Sequence, residues 1–200
     1  MTRPLLRTLA MAGALALAPS LAFAHVGVGD AHGFMHGFMH PMTGLDHVLA
    51  MVTVGIFAWQ LGGRAVWLVP ATFVLLMAAG GALGMGGFSL PYVELGIALS
   101  VVVLGGAVAM GVQLPLAAAM GLVGAFAIFH GHAHGAEMPE TASGLAYGAG
   151  FMLATAALHL SGLALGAGIG RLGDTYGQVW VRRAGAAVSV TGLGLVLGAI

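Results

Sequence analysis

Residues 40–61 read HPMTGLDHVLAMVTVGIFAWQL. From Met42 to Leu61 the only ionisable side chains are Asp46 and His47. About 20 such residues are what a helix needs to cross the hydrocarbon of a bilayer. Polar groups at the mouth of such a helix are expensive and usually functional. The stretch therefore opens a membrane helix on ligand chemistry, with the imidazoles of His40 and His47 and the carboxylate of Asp46 close together.

The rest of the composition agrees. Of 200 residues, 60% are apolar and only 6% charged, and the mean hydropathy is +1.02. A soluble domain carries roughly 25% charged residues, so this chain cannot cover a water-facing surface. The apolar runs are too continuous for an outer-membrane barrel. An all-α polytopic membrane protein is the class that remains. Net charge is zero without a basic patch, which argues against a nucleic-acid partner. Cysteine and lysine are absent. Their absence removes disulfides, thiolate metal sites and a phosphate-binding Gly-Lys-Ser/Thr loop. Nine histidines are present, and they cluster.

Residues 1–24 read as a cleaved signal peptide: Arg3 and Arg7, a short apolar core from Leu9 to Ala18, then Ala22-Phe23-Ala24 as the cleavage site. The mature chain would begin at His25, whose terminal amine and imidazole can chelate. Residues 25–40 form a periplasmic His/Met-rich segment in which His32, His36 and His40 recur every fourth residue. Gly33 and Gly37 point to a flexible, metal-gathering arm. Residues 41–200 form a six-helix transmembrane domain with segments at 42–61, 65–86, 91–110, 113–131, 143–169 and 180–199. With His25 outside, Arg64, Arg171, Arg182 and Arg183 all fall on cytoplasmic loops, as the positive-inside bias expects. Three helices followed by three of opposite sense allow a 3+3 inverted repeat. Gly162, Gly166 and Gly170, Gly144 with Gly148, and Gly194 with Gly198 follow small-xxx-small spacing. Such faces suit close helix packing and a homo-oligomer.

On one continuous helix, His40, Gly44, His47 and Met51 would share a face, with Pro41 in the first turn. Asp46 lies off that face, as a ligand from the side or an acceptor that orients an imidazole. A second cluster, His130 to Glu137, puts His130, His134 and Glu137 on one face if the helix continues; His132 points the other way. His159 and Glu94 are isolated polar groups in apolar runs, candidates for way-stations along an ion path. Imidazole and carboxylate without thiolate suit nickel, cobalt, zinc or copper(II) better than magnesium or calcium.

The motifs His40-Pro-x-x-Gly-x-Asp-His47 and Phe129-His-Gly-x-Ala-His-Gly-x-Glu137 resemble those of the HupE/UreJ family of nickel and cobalt permeases. The resemblance covers nearly the whole mature chain. It implies a non-enzymatic protein of the bacterial inner membrane, multi-pass, with its mature N-terminus periplasmic. It also implies nickel or cobalt as transported substrate, with no catalytic cofactor. By that resemblance His40, Asp46, His47, His130, His134 and Glu137 carry the metal. His25, His32, His36, His132, His159 and Glu94 are further candidates from the residues themselves. The choice of nickel comes from the resemblance alone.

Two other readings use the same ligands. A metal-dependent integral membrane hydrolase would hold its ion tightly and need a general base, which Asp46 or Glu137 could supply. A membrane metal sensor or delivery protein would bind metal on the outer arm while the membrane path stays closed.

Overall fold

The computed structural model describes residues 31–138, 144–171 and 173–199. The stretch read as a signal peptide and His25 lie outside them, as does the side chain of His32. The described residues form seven helices: α1 (Ala31–Thr43), α2 (Leu45–Leu61), α3 (Ala65–Met85), α4 (Val93–Met110), α5 (Leu116–Ala136), α6 (Gly144–Gly170) and α7 (Asp174–Val196). The described residues contain no strand. The chain is all-α, as its composition requires.

Glycine and proline punctuate the helices. Gly62 and Gly63 end α2 at φ 70° and 51°, a left-handed turn that a side chain would strain. Pro115 stands at the start of α5, where its missing N–H is harmless.

Four helices, α3 to α6, are long and apolar enough to cross a membrane. The pair α1–α2 supplies a fifth crossing if it counts as one. The sixth expected span does not qualify among the described residues. The helix there, α7, starts at Asp174 and carries Arg182 and Arg183 in its first half, so charge interrupts its apolar length. Large apolar side chains such as Leu75, Leu99, Leu153 and Leu160 face outward, as a bundle surrounded by lipid requires.

The expected first helix is not continuous. It breaks at Gly44, whose backbone is extended (φ −85°, ψ 121°), and α1 meets α2 at 82°. Pro41 sits near the end of α1 rather than in a first turn. The Thr43 hydroxyl donates to the His40 carbonyl at 2.8 Å and occupies one of the last acceptors of α1. The arm expected to be flexible is helical from Ala31 onward. Its glycines serve packing instead: Gly37 lies on the Tyr147 carbonyl, and Gly150 of α6 lies on the Phe34 carbonyl.

Helices α3 and α5 pack in parallel along a glycine seam. Gly80 lies against the Ile128 carbonyl, Gly84 against the His132 carbonyl and Gly131 against the Met77 carbonyl. A methyl group at any of these would strike the other main chain, so the seam fixes the depth of the α5 histidines. The small-residue spacings read from the sequence divide. Gly162 packs on Val52 of α2, and Gly166 and Gly170 receive the Trp59 ring. A side chain added at Gly148 or Gly198 would meet nothing within 4 Å among the described residues.

Phe57, Phe73, Met51, Met77 and Leu104 fill the centre. Arg64 and Arg171 follow α2 and α6, and the Arg182 guanidinium lies beside Gly111 at the end of α4. These three arginines thus gather at one end of the bundle, and the histidines described next at the other.

Candidate metal centre

His47 enters from the first turns of α2 and is fully buried. His130 and His134 lie one turn apart on α5, so their rings leave the same face. The helix does continue past Gly131 and Gly135 to Ala136, because both glycines press on the α3 main chain. A ligand atom from each of His47, His130 and His134 falls within 4.8 Å of the others. A second group, His40, His134 and Glu137, meets the same condition nearer the surface. His134 belongs to both, and His40 Nε2 lies 3.0 Å from His134 Nδ1. The break at Gly44 thus replaces the expected shared face: His40 and His47 meet the same α5 histidine from two helices.

Hydroxyl groups set the tautomers of the deep pair. Ser100 Oγ donates to the Ile97 carbonyl at 2.6 Å. Its one proton is thereby used, so it accepts from His130 Nε2 at 2.9 Å. His130 Nδ1 is left as a bare lone pair. On the other side, the Thr155 hydroxyl is directed at Met77 Sδ at 3.7 Å and accepts from His47 Nε2 at 3.4 Å. His47 Nδ1 is therefore bare as well. These two Nδ1 atoms face each other at 3.3 Å with no proton of their own between them. Two lone pairs so placed repel unless a cation joins them. Nitrogens around a metal at about 2.0–2.1 Å in tetrahedral geometry stand about 3.3–3.4 Å apart, so the observed separation fits a metal directly.

Aromatic rings wall the group. Phe151 of α6 packs on His47 and His134 with centroids at 5.1 and 4.7 Å. Tyr147 flanks His36 and His40 at 5.7 and 6.1 Å.

The remaining candidates sit elsewhere. Asp46 Oδ1 accepts the His47 backbone N–H at 2.7 Å; its carboxylate belongs to neither three-residue group. His132 Nε2 donates to the Phe88 carbonyl at 2.6 Å and ties the α3–α4 loop to α5. His36 is exposed one turn before His40. Glu94 is exposed in the first turn of α4. His159 is buried at 1% exposure, with neither ring nitrogen partnered. Ser100, Thr155 and Phe151 were not singled out from the sequence. The two hydroxyls stood in apolar runs, and that was the available signal.

A profile of the family described as HupE / UreJ protein matches residues 13–195. The chain belongs to the HupE/UreJ family. Among curated proteins, Protein HupE of Rhizobium leguminosarum bv. viciae is 50% identical over 185 residues, covering 92% of this chain and 94% of that protein. No solved structure matches the chain. A HupE/UreJ protein is a multi-pass membrane protein of a bacterial metal-uptake family, and the histidine groups here are able to hold a metal ion.

Proposed function

We propose that this chain is a secondary permease for a divalent transition metal, nickel or cobalt, taken up across the bacterial inner membrane. One observation carries the reading: a partly exposed group (His40, His134, Glu137) and a buried group (His47, His130, His134) share His134. An ion arriving from outside meets a carboxylate and two imidazoles first. Exchange at His134 then passes it to the opposed lone pairs of His47 and His130. Sharing a ligand lowers the barrier between sites, because the ion is never without a partner. Conduction needs such weak, serial sites rather than one tight cage.

The cluster sits at the end of the bundle away from Arg64, Arg171 and Arg182, and the positive-inside rule supports reading that end as periplasmic. The membrane potential would drive entry. At about 2.3 kcal/mol per charge per 100 mV, a divalent ion gains about 4.6 kcal/mol per 100 mV, enough for accumulation without ATP. The placement favours transport over hydrolysis: the carboxylate of the two groups, Glu137, stands in the outer one, while the buried group is made of imidazoles. Nickel or cobalt is the cargo that the family supports, and the nitrogen-rich ligand set is compatible with it.

The test is uptake of nickel, cobalt, zinc and copper by liposomes holding the purified protein, with and without an imposed potential, beside His47→Ala. Potential-driven, saturable entry of nickel or cobalt, lost in the variant, is expected. Retention of one tightly held ion without flux would overturn the reading.

A further inference from the structure

Two helix pairs repeat the same contacts at their centres. Between α2 and α6, Gly55 lies against the His159 carbonyl and the Leu163 amide, and Gly162 against the Val52 carbonyl. Between α5 and α3, Gly131 lies against the Met77 carbonyl and the Gly81 amide, and Gly80 against the Ile128 carbonyl. A shift of 76 residues carries Val52 to Ile128 and Gly55 to Gly131. A shift of 82 carries Met77, Gly80 and Gly81 to His159, Gly162 and Leu163. The third pair maps onto itself. Gly105 of α4 lies against the Gly185 carbonyl and the Ser189 amide, and Gly185 of α7 against the Gly105 carbonyl and the Ala109 amide. These two helices run antiparallel and exchange places, so the axis relating the halves lies across the helices, in the membrane plane.

His159 stands at that axis. Its ring packs edge-on against Phe73 with centroids 5.2 Å apart. The same operation turns this contact into the one between Met77 and Thr155, which is also present at 3.7 Å. The symmetry fails where the chemistry is. The positions matching His47, His130 and His134 are Val123, Val54 and Ala58, all fully buried and apolar. The ligand cage, built from both halves at one end of the bundle, has as its image at the other end a hydrocarbon seal. Among the described residues, His159 is the buried histidine with neither nitrogen satisfied. A buried imidazole that no protein group satisfies is open to a partner from outside the protein, a water molecule or an ion.

Resting on the permease reading, we infer that His159 is the hand-over ligand of an inverted repeat, receiving the metal from the cage of His47, His130 and His134, the outer cage, before the apolar end opens. Rocking of residues 45–110 against residues 116–196 about the axis exposes opposite ends in turn, as inverted repeats allow. The ion needs a donor at the centre during that exchange, and His159 is the side chain placed to give one.

The test uses the whole protein with zinc(II) as a diamagnetic probe. Histidine ring nitrogens are labelled with nitrogen-15, and the His159 signal is assigned by its loss in His159→Ala. Zinc in excess of that which saturates the outer cage should shift one His159 nitrogen to the metal-bound range. An unmoved His159 signal overturns the inference, whatever the liposomes show. In parallel, His159→Ala and the volume-keeping His159→Phe should bind cobalt at the outer cage with about parental affinity yet lose roughly tenfold or more in flux. Parental flux in both folded variants also overturns it. Absence of flux in the parent would defeat the permease reading and leave the zinc shift to decide the role of His159.

Discussion

His47 Nδ1 and His130 Nδ1 point at each other across 3.3 Å, each ring held from behind by a hydroxyl. The arrangement joins a local bond (Ser100 to the Ile97 carbonyl) to a binding property 30 residues away in the chain. The hydroxyls contact the Nε2 side of each ring and would not touch an ion held between the Nδ1 atoms. They decide which nitrogen is free to.

Ser100→Ala and Thr155→Val should therefore weaken metal binding while leaving the ligands in place. Loss of a group that orients a metal-bound imidazole typically costs 10–100-fold in affinity, and each variant should fall in about that range. Calorimetric titration with nickel(II) checks it, with thermal melting to confirm that the fold survives.

His134 and Glu137 should separate by their membership of the two groups. His134→Ala removes a ligand from both and should abolish uptake. Glu137→Gln removes one from the outer group and should raise the metal concentration for half-maximal uptake about tenfold, with a near-parental maximal rate. Initial-rate measurements in liposomes distinguish the two patterns.

His132 lies in the same cluster of sequence but donates to Phe88. His132→Ala should change metal affinity by no more than about twofold, since its ring stands outside both groups. Proteolysis of the α3–α4 loop, faster in the variant, should reveal the lost tether.

The glycine seam predicts a steric contrast. Gly131→Ala pushes a methyl group into the Met77 carbonyl, and overpacking of this kind costs about 1–3 kcal/mol. Gly148→Ala, which meets nothing within 4 Å, should melt near the parent. Thermal unfolding in detergent compares them.

The helical membrane class and both histidine clusters were legible because charge and hydropathy are properties of the chain itself. The kink was not. Pro41 suits the first turn of a helix as well as its close, and Gly44 breaks a helix only when packing uses the break; here α1 docks on α6 through Gly37 and Gly150. The same ambiguity hid the helical state of residues 31–39. Continuation of α5 through Gly131 and Gly135 depended on α3, which a local reading cannot see. Ser100 and Thr155 were silent for a similar reason: a hydroxyl inside an apolar span gains its meaning from a partner on another helix. Arg182 and Arg183 stand inside α7 rather than on a loop, so the last span is less cleanly apolar than its sequence suggests.

The 82° corner at Gly44 turns the spacing from His40 to His47 into a ruler. His40 is anchored by α1 on one side of the corner, His47 by α2 on the other, and both must reach His134. One added residue within α2 before His47 would swing that ring by about 100° and send its nitrogen toward lipid or core. Point substitutions along the outward face of α1 leave this register untouched. The gene can therefore drift in letters over that outward face, but a single-codon insertion or deletion between the two histidines would uncouple them.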